Sequence, residues 1–315
     1  MRGVSNLNSL YNRDVISALD FDRKTMDYLF HEAEKIRQEL EVKGILDYCR
    51  NKIMVTVFLE PSTRTRLSFQ FAMTRLGGIV VDFGLEQAAS IAKGESFEDT
   101  IRMVDGYKPN IIVLRHREPG SSRKAAEIAS APVINAGDGW NEHPTQALLD
   151  LYTIWREIKK IDGVTLGIMG DLKYGRTPSS LSYAISKYDD VKIYYIAPKE
   201  LQIRREVLEK IDRRVEWRMV ERVEEVIEEL DVLYVTRLQK ERFSDPSEYE
   251  RLKGSYNLTI NLLKKFKKLP IIMHPLPRVD ELSPEVDSLP QAKYFTQAEN
   301  GVYIRAALIK SILTE

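Results

Sequence analysis

Residues 60–69 read EPSTRTRLSF. Ser62, Thr63, Arg64, Thr65 and Arg66 lie between an apolar run, KIMVTVFL, and a helix-like run, LSFQFAMTRLGG. A helix start exposes free backbone N–H groups and carries partial positive charge. Hydroxyls at Ser62, Thr63 and Thr65 and the Arg64 guanidinium would complete a cradle for an anion, with phosphate the best fit. The plainer expectation for the same residues is an N-cap from Ser62 or Thr63.

Other stretches offer matching groups. In LRHREPG, Arg115 and His116 follow the run NIIVL at once and are expected to point together into one crevice. In GDGWNEHPTQALLD, His143, Thr145 and Gln146 open a long helix, with Pro144 suited to its first position. His143 and Gln146 could donate hydrogen bonds to a carbonyl oxygen. A second set has another character. Arg176 in GIMGDLKYGRTPSSL suits a carboxylate, and VLYVTRLQKERF supplies Arg237, Gln239 and Lys240. IIMHPLPRVDEL sets His274, Pro275, Leu276 and Pro277 in a stiff loop whose carbonyls are free to accept. The first set suits phosphate plus carbonyl, the second one or two carboxylates. GIMGDLKYG departs from the dinucleotide-binding glycine spacing, and the next strand ends in Ala197, Pro198 and Lys199 rather than an acid. The four histidines, 31, 116, 143 and 274, lack metal spacing, and no Ser-His-Asp or Cys-His grouping stands out.

Alternating strands and helices must hold these corners. Met26, Leu29, Phe30, Ala33, Ile36 and Leu40 give 24–41 the single apolar face of a helix. Strands IMVTVFL, GIVVDF, NIIVLR and PVINAG then alternate with helices over 64–76, 96–106 and 121–130, and a long helix covers 143–160. The alternation restarts with strands VTLGIMG, VKIYYIA, RVEWRMV, VLYVT and PIIMH. Helices are expected over 177–187, 203–210, along VEEVIEELD, twice before PIIMH, and over 298–315. Strands too continuously apolar for one-sided burial predict parallel sheets covered on both faces. The pattern is that of an α/β chain of two doubly wound domains, each a mostly parallel sheet flanked by helices, hinged near 143–160. Ligands of such sheets bind beyond the carboxyl ends of strands, so the active site is expected in the cleft between the domains.

Bulk properties exclude several classes. The chain has 315 residues, comfortable for two domains, and 43% are apolar. Lys plus Arg and Asp plus Glu number 47 each, which speaks against a general nucleic-acid or anionic-membrane surface. Cys49 is the only cysteine, so neither an intrachain disulfide nor a cysteine zinc cluster is available. The first residues lack a secretory apolar region, and no run of about 18 apolar residues exists. The cytoplasm is the expected location.

The stretches STRTRLSF, RH, HPTQALLDLYTI, GDLKYGRTPSSL, TRLQKERF, HPLPRVDEL and NGVYIRAALI, in that order, resemble the catalytic chains of aspartate carbamoyltransferases, in the aspartate/ornithine carbamoyltransferase superfamily. The resemblance runs from about residue 50 to the end. It implies transfer of the carbamoyl group of carbamoyl phosphate to the amine of L-aspartate, in de novo pyrimidine synthesis, without a cofactor or metal. It implies a carbamoyl-phosphate-binding domain over 1–146 with 293–315 and an aspartate-binding domain over 147–292. By resemblance, Ser62, Thr63, Arg64 and Thr65 hold the phosphate together with Arg115. Thr65, Arg115 and His143 reach the carbonyl oxygen, and Gln146 the carbamoyl nitrogen. Arg176 and Arg237 look like the aspartate carboxylate ligands, with Gln239 beside them. The Leu276 carbonyl resembles the acceptor for substrate N–H groups, next to Pro277 in a bond the family makes cis. Catalytic roles fall to Arg64, Thr65, Arg115 and His143.

The resemblance also implies a cyclic homotrimer in which the loop 88–95 reaches a neighbour's site, bringing Lys93 to the aspartate there. One departure stands in this loop: the position four before Lys93 is Ala89, where the family usually has serine. Ser90, one place later, substitutes only if the loop shifts. The resemblance also allows a regulatory chain as a partner of the trimer. Two alternatives remain. Ornithine carbamoyltransferase shares STRTR, but it uses a cysteine where Pro275 stands and a Ser-Met-Gly loop where TRLQKER offers cations. A non-catalytic scaffold would be expected to lose charged site residues, and the arginines are kept.

Overall fold

The computed structural model describes residues 10–84, 94–211, 213, 215–239, 246–252 and 256–315. The chain forms two compact units, Met1–Leu148 with Gly301–Glu315, and Leu149–Asn300. One boundary falls within the helix Pro144–Ile158 and the other within the helix Tyr294–Leu313.

The first unit carries a four-stranded sheet in the order β2-β1-β3-β4, with β1 Ile53–Phe58, β2 Ile79–Gly84, β3 Ile111–His116 and β4 Val133–Asp138. Every pairing is parallel, for example Met54 with Val80 and with Ile111. The two central strands and β4 are almost wholly buried, which is why they read as unbroken apolar runs. Val57, Ile112, Leu114 and Val133 pack with Ile101, Val104 and Ala125 from the helices Phe97–Gly106 and Ser121–Ile128. Strand β2 is one edge, and its outward residues stay exposed.

The second unit has five parallel strands in the order β7-β6-β5-β8-β9, with β5 Thr165–Met169, β6 Lys192–Ile196, β7 Glu216–Val220, β8 Val232–Val235 and β9 Ile271–Met273. In each sheet the chain leaves a central strand, builds outward on one side, then crosses to the other. The reversals fall between β1 and β3 and between β5 and β8. Such switch points open a crevice at the strands' carboxyl ends. There Glu60, just before the STRTR corner, holds Arg115, and Asp171, in the GDLKYGRT corner, accepts the N–H of Gln239, two residues after Arg237.

Gly170 shows how closely the latter corners approach. Its φ is +126, and a Cβ built on it would lie 2.2 Å from the Thr236 carbonyl oxygen. Only glycine fits.

Two local expectations fail. VEEVIEELD forms no α-helix; it holds a 3-10 helix, Val223–Glu225, followed by turns. Buried Val223, Val226 and Ile227 anchor it. Their β-branching weakens helix propensity, and Glu224–Glu228 and Glu225–Glu229 would set like charges four apart. Ser62 stands at the N-cap of the helix Thr63–Arg75 with extended backbone, yet its side chain makes no cap hydrogen bond. Among the described residues no helix is long and apolar enough to cross a membrane.

Candidate functional site

In the first unit, three neighbouring strand ends bring the first set together. Helix Thr63–Arg75 starts five residues after β1 ends. Thr63 and Arg64 are exposed and Ser62 half-buried, while Thr65 turns inward. The Thr65 hydroxyl lies 3.4 Å from Nε2 of His143, a buried residue that enters from the end of β4. Gln146 follows within the first turn, its backbone N–H bonded to the His143 carbonyl.

Arg115 is 8% exposed and spans the sheet end. Its Nη1 donates to the Ala136 carbonyl at 3.1 Å, and Nη2 to Glu60 Oε1 at 3.2 Å. A guanidinium fixed at once from the segment after β1 and from β4 is oriented before any ligand arrives. A second set of bonds lies at the end of β4. The Glu142 carboxylate accepts from the Ser17 hydroxyl at 2.6 Å and the Ala18 N–H at 2.8 Å. Asp138 accepts the Glu142 N–H at 3.2 Å and the Gly120 N–H at 2.8 Å. Burial holds the Glu142 carboxyl above the usual range despite the Ser17 and Ala18 donors.

Two residues depart from the expected grouping. Arg66 is turned away from its neighbours and grips Asp82 on β2 through Nε, at 2.9 Å, and Nη2. Gln70 and Thr56 bond the same carboxylate. Arg66 thus ties the helix to the edge strand. His116 does not share Arg115's surroundings: successive strand residues face opposite ways. Its ring packs on Phe97 at 5.0 Å and accepts the Glu118 N–H at 3.1 Å. Burial lowers its basicity.

In the second unit, Asp171 follows β5 and is fully buried. One oxygen accepts the Tyr174 N–H at 2.9 Å and the other the Gln239 N–H at 3.2 Å. It therefore joins the loop before Arg176 to the loop carrying Arg237 and Gln239. Arg176 is buried at the head of the helix Arg176–Ile185, and Arg237, half-buried, donates to the Leu238 carbonyl at 3.1 Å. The Leu276–Pro277 bond is cis, and Leu276 has φ +52. Ala89, Ser90, Lys93 and Lys240 lie outside the described residues.

Sequence reasoning missed the acids. Glu60, Asp82, Asp171 and Glu281 each hold a cation or a loop. Glu60 and Asp171 carried a usable signal, since each is an acid placed within two residues of a buried strand's end.

Two family models match the sequence: the carbamoyl-P binding domain of aspartate/ornithine carbamoyltransferases over residues 13–156, and their Asp/Orn binding domain over 162–312. An aspartate carbamoyltransferase catalytic subunit from Pyrobaculum calidifontis is 51% identical over 305 residues, covering 96% of this chain and 99% of the relative. The fold is similar to the solved catalytic subunit of the M. jannaschii aspartate transcarbamoylase, with TM-score 0.87, 48% identity and coverage of 96% and 98% of the two chains. It is also similar to the Trypanosoma cruzi aspartate transcarbamoylase in complex with carbamoyl phosphate and aspartate, with TM-score 0.93, 38% identity and coverage of 99% and 100%.

Proposed function

The chain belongs to the aspartate/ornithine carbamoyltransferase family, and from that premise we propose that it is an aspartate carbamoyltransferase acting in pyrimidine synthesis. The observation that carries this reading is the convergence of Thr65, Arg115 and His143 at three adjacent strand ends. That grouping suits a ligand with a phosphate and a carbonyl oxygen, and the Arg176, Arg237 and Gln239 corner suits a dicarboxylate. We assign carbamoyl phosphate to 1–146 with 293–315 and aspartate to 147–292.

The chemistry follows from residue types. Ser62, Thr63, Arg64 and the free N–H groups of the helix start hold the phosphate. Thr65, Arg115 and His143 surround the carbamoyl oxygen, and Gln146 orients the carbamoyl nitrogen. The aspartate amine attacks the carbamoyl carbon directly. As the C–N bond forms, negative charge grows on the oxygen and is met by donors already in position. Losing one such donor typically costs about 2.7–4 kcal/mol. The C–O bond to phosphate then breaks, and the leaving phosphate takes the ammonium proton. Arg115, held by Glu60 and Ala136, needs little reorganisation to act. The Leu276 carbonyl accepts from the substrate N–H groups, beside Pro277.

We further propose a cyclic homotrimer with Lys93, and Ser90 if its loop shifts, supplied by the neighbouring chain. Exposed Leu67 and Phe71 on the helix Thr63–Arg75 and exposed Ile79 and Val81 on edge strand β2 support self-association. The deciding assay offers carbamoyl phosphate with L-aspartate or with L-ornithine. Turnover with aspartate alone is expected, because Arg176 and Arg237 repel a second amine. Turnover of ornithine in its place overturns the reading, and turnover of neither favours a scaffold.

A further inference from the structure

We propose that His274 and Glu281 form a positioning pair that fixes the Leu276 carbonyl in place; this rests on the acceptor role given to Leu276 above. His274 follows β9 directly, and Glu281 lies seven residues on. Both are buried, at 1% and 5% exposure. His274 Nε2 and Glu281 Oε1 are 2.7 Å apart, closing the loop 275–280 into a ring.

The rest of the pair's capacity goes to that loop. His274 Nδ1 accepts the Leu276 N–H at 2.8 Å. The Glu281 carboxylate accepts the Val279 N–H at 3.2 and 3.3 Å. Pro275 and Pro277 have no N–H, so the pair holds two of the few backbone donors the loop possesses. Leu276 sits at φ +52, a region a leucine keeps only when its surroundings constrain it. The constraint is visible: its own N–H is bound to the imidazole two residues back.

The bonding fixes the tautomer. A ring nitrogen that accepts an N–H carries no proton, so the imidazole proton sits on Nε2 and faces Glu281. Burial pushes the Glu281 carboxyl up, but the hydrogen bond from His274, with the Val279 N–H, outweighs it and holds the carboxyl below its usual range. The carboxylate in turn pins the ring. The His274 backbone is anchored separately: its N–H donates to Gln297 Oε1 at 2.8 Å, and Gln297 Nε2 donates to Asp150 at 2.6 Å. On the far side, Arg278 is paired with Asp287. The loop is thus held from both ends with the Leu276 carbonyl between.

Four variants test this: His274→Phe, His274→Asn, Glu281→Leu and Glu281→Gln. His274→Phe and Glu281→Leu are expected to lower kcat about 10²-fold, the scale of a misplacement near 1 Å. The inhibition constant for inorganic phosphate should stay within about twofold, because a positional fault need not disturb the separate phosphate groups. His274→Asn restores an acceptor for the N–H two residues on, as in an Asx turn, and should recover most of kcat. Glu281→Gln keeps an acceptor for Nε2–H and should do the same. Hydrogen exchange by mass spectrometry over 273–283 should quicken in His274→Phe and Glu281→Leu and stay slow in the two conservative variants. Should Glu281→Leu fail to fold, the contrast of His274→Phe with His274→Asn decides. Wild-type kcat and exchange in His274→Phe overturn the proposal. So does a parallel loss of phosphate binding, or an asparagine variant no better than the phenylalanine one. If the wild-type protein shows no turnover, the function reading fails, while the exchange contrast still decides the pair.

Discussion

Arg64 and Arg66 stand two residues apart on one helix start and meet different surroundings. Arg64 is exposed beside the helix N–H groups, whereas Arg66 grips Asp82. Arg64→Ala should therefore lower turnover about 10²–10³-fold, by analogy with the loss of one preorganised donor. Its unfolding free energy should stay within about 0.5 kcal/mol of wild type. Arg66→Ala should do the reverse, costing about 1 kcal/mol of stability for a part-exposed pair with modest effect on rate. Steady-state kinetics beside urea unfolding checks both; a stability loss in Arg64→Ala that matches its activity loss defeats the distinction. Glu142 offers a pH test at the same scale. Its carboxyl is raised chiefly by burial, so the folded state binds the proton more tightly than the unfolded state. Stability then falls as pH rises from the usual carboxylate value through the raised one. Glu142→Gln removes that titration, so its melting temperature relative to wild type should rise between pH 4 and pH 8. A gain that grows on acidification reverses the assigned sign.

Among elements, the corners after β5 and β8 are bound by backbone closeness. A Cβ at Gly170 would strike the Thr236 carbonyl, and φ +126 strains any other residue. Gly170→Ala should cost on the order of 3 kcal/mol and raise the KM for aspartate more than that for carbamoyl phosphate. Denaturant unfolding and two-substrate kinetics measure these; equal KM changes argue against separate corners for the two ligands. The strands were legible because parallel, doubly covered sheets demand unbroken apolar runs, as in IMVTVFL and NIIVLR. The corners were legible because cations and amides directly after such runs have few structural reasons to be there. What escaped was pairing. No spacing rule links Arg66 to Asp82 or Arg115 to Glu60, because both contacts depend on how β1, β2 and β3 lie side by side. His116 misled for a related reason: period-two alternation separates it from Arg115. VEEVIEELD misled because apolar periodicity alone does not weigh β-branching and like charges against the helix.

At the scale of the whole molecule, the exposed apolar groups and the shared-site proposal make one connected claim. Leu67, Phe71, Ile79 and Val81 are all more than 40% exposed, an unusual concentration on one helix and its adjoining edge strand. Phe71→Asp with Val81→Lys should therefore dissociate the assembly in sedimentation experiments and abolish activity with it, since each site would lose its neighbour's Lys93. Unchanged mass would remove that surface from the interface. The sharper test mixes two inactive variants. Lys93→Ala and Arg115→Ala should each be nearly inactive alone. If a site takes Arg115 from one chain and Lys93 from the next, random mixing gives each junction a one-in-two chance of an intact Arg115 and the same for Lys93. About one site in four is then whole. Co-refolding the variants should recover activity towards a quarter of wild type. If mass measurement shows mixed oligomers and the mixture stays as inactive as its parents, Lys93 serves its own chain. The exposed surface would then join subunits without joining their chemistry.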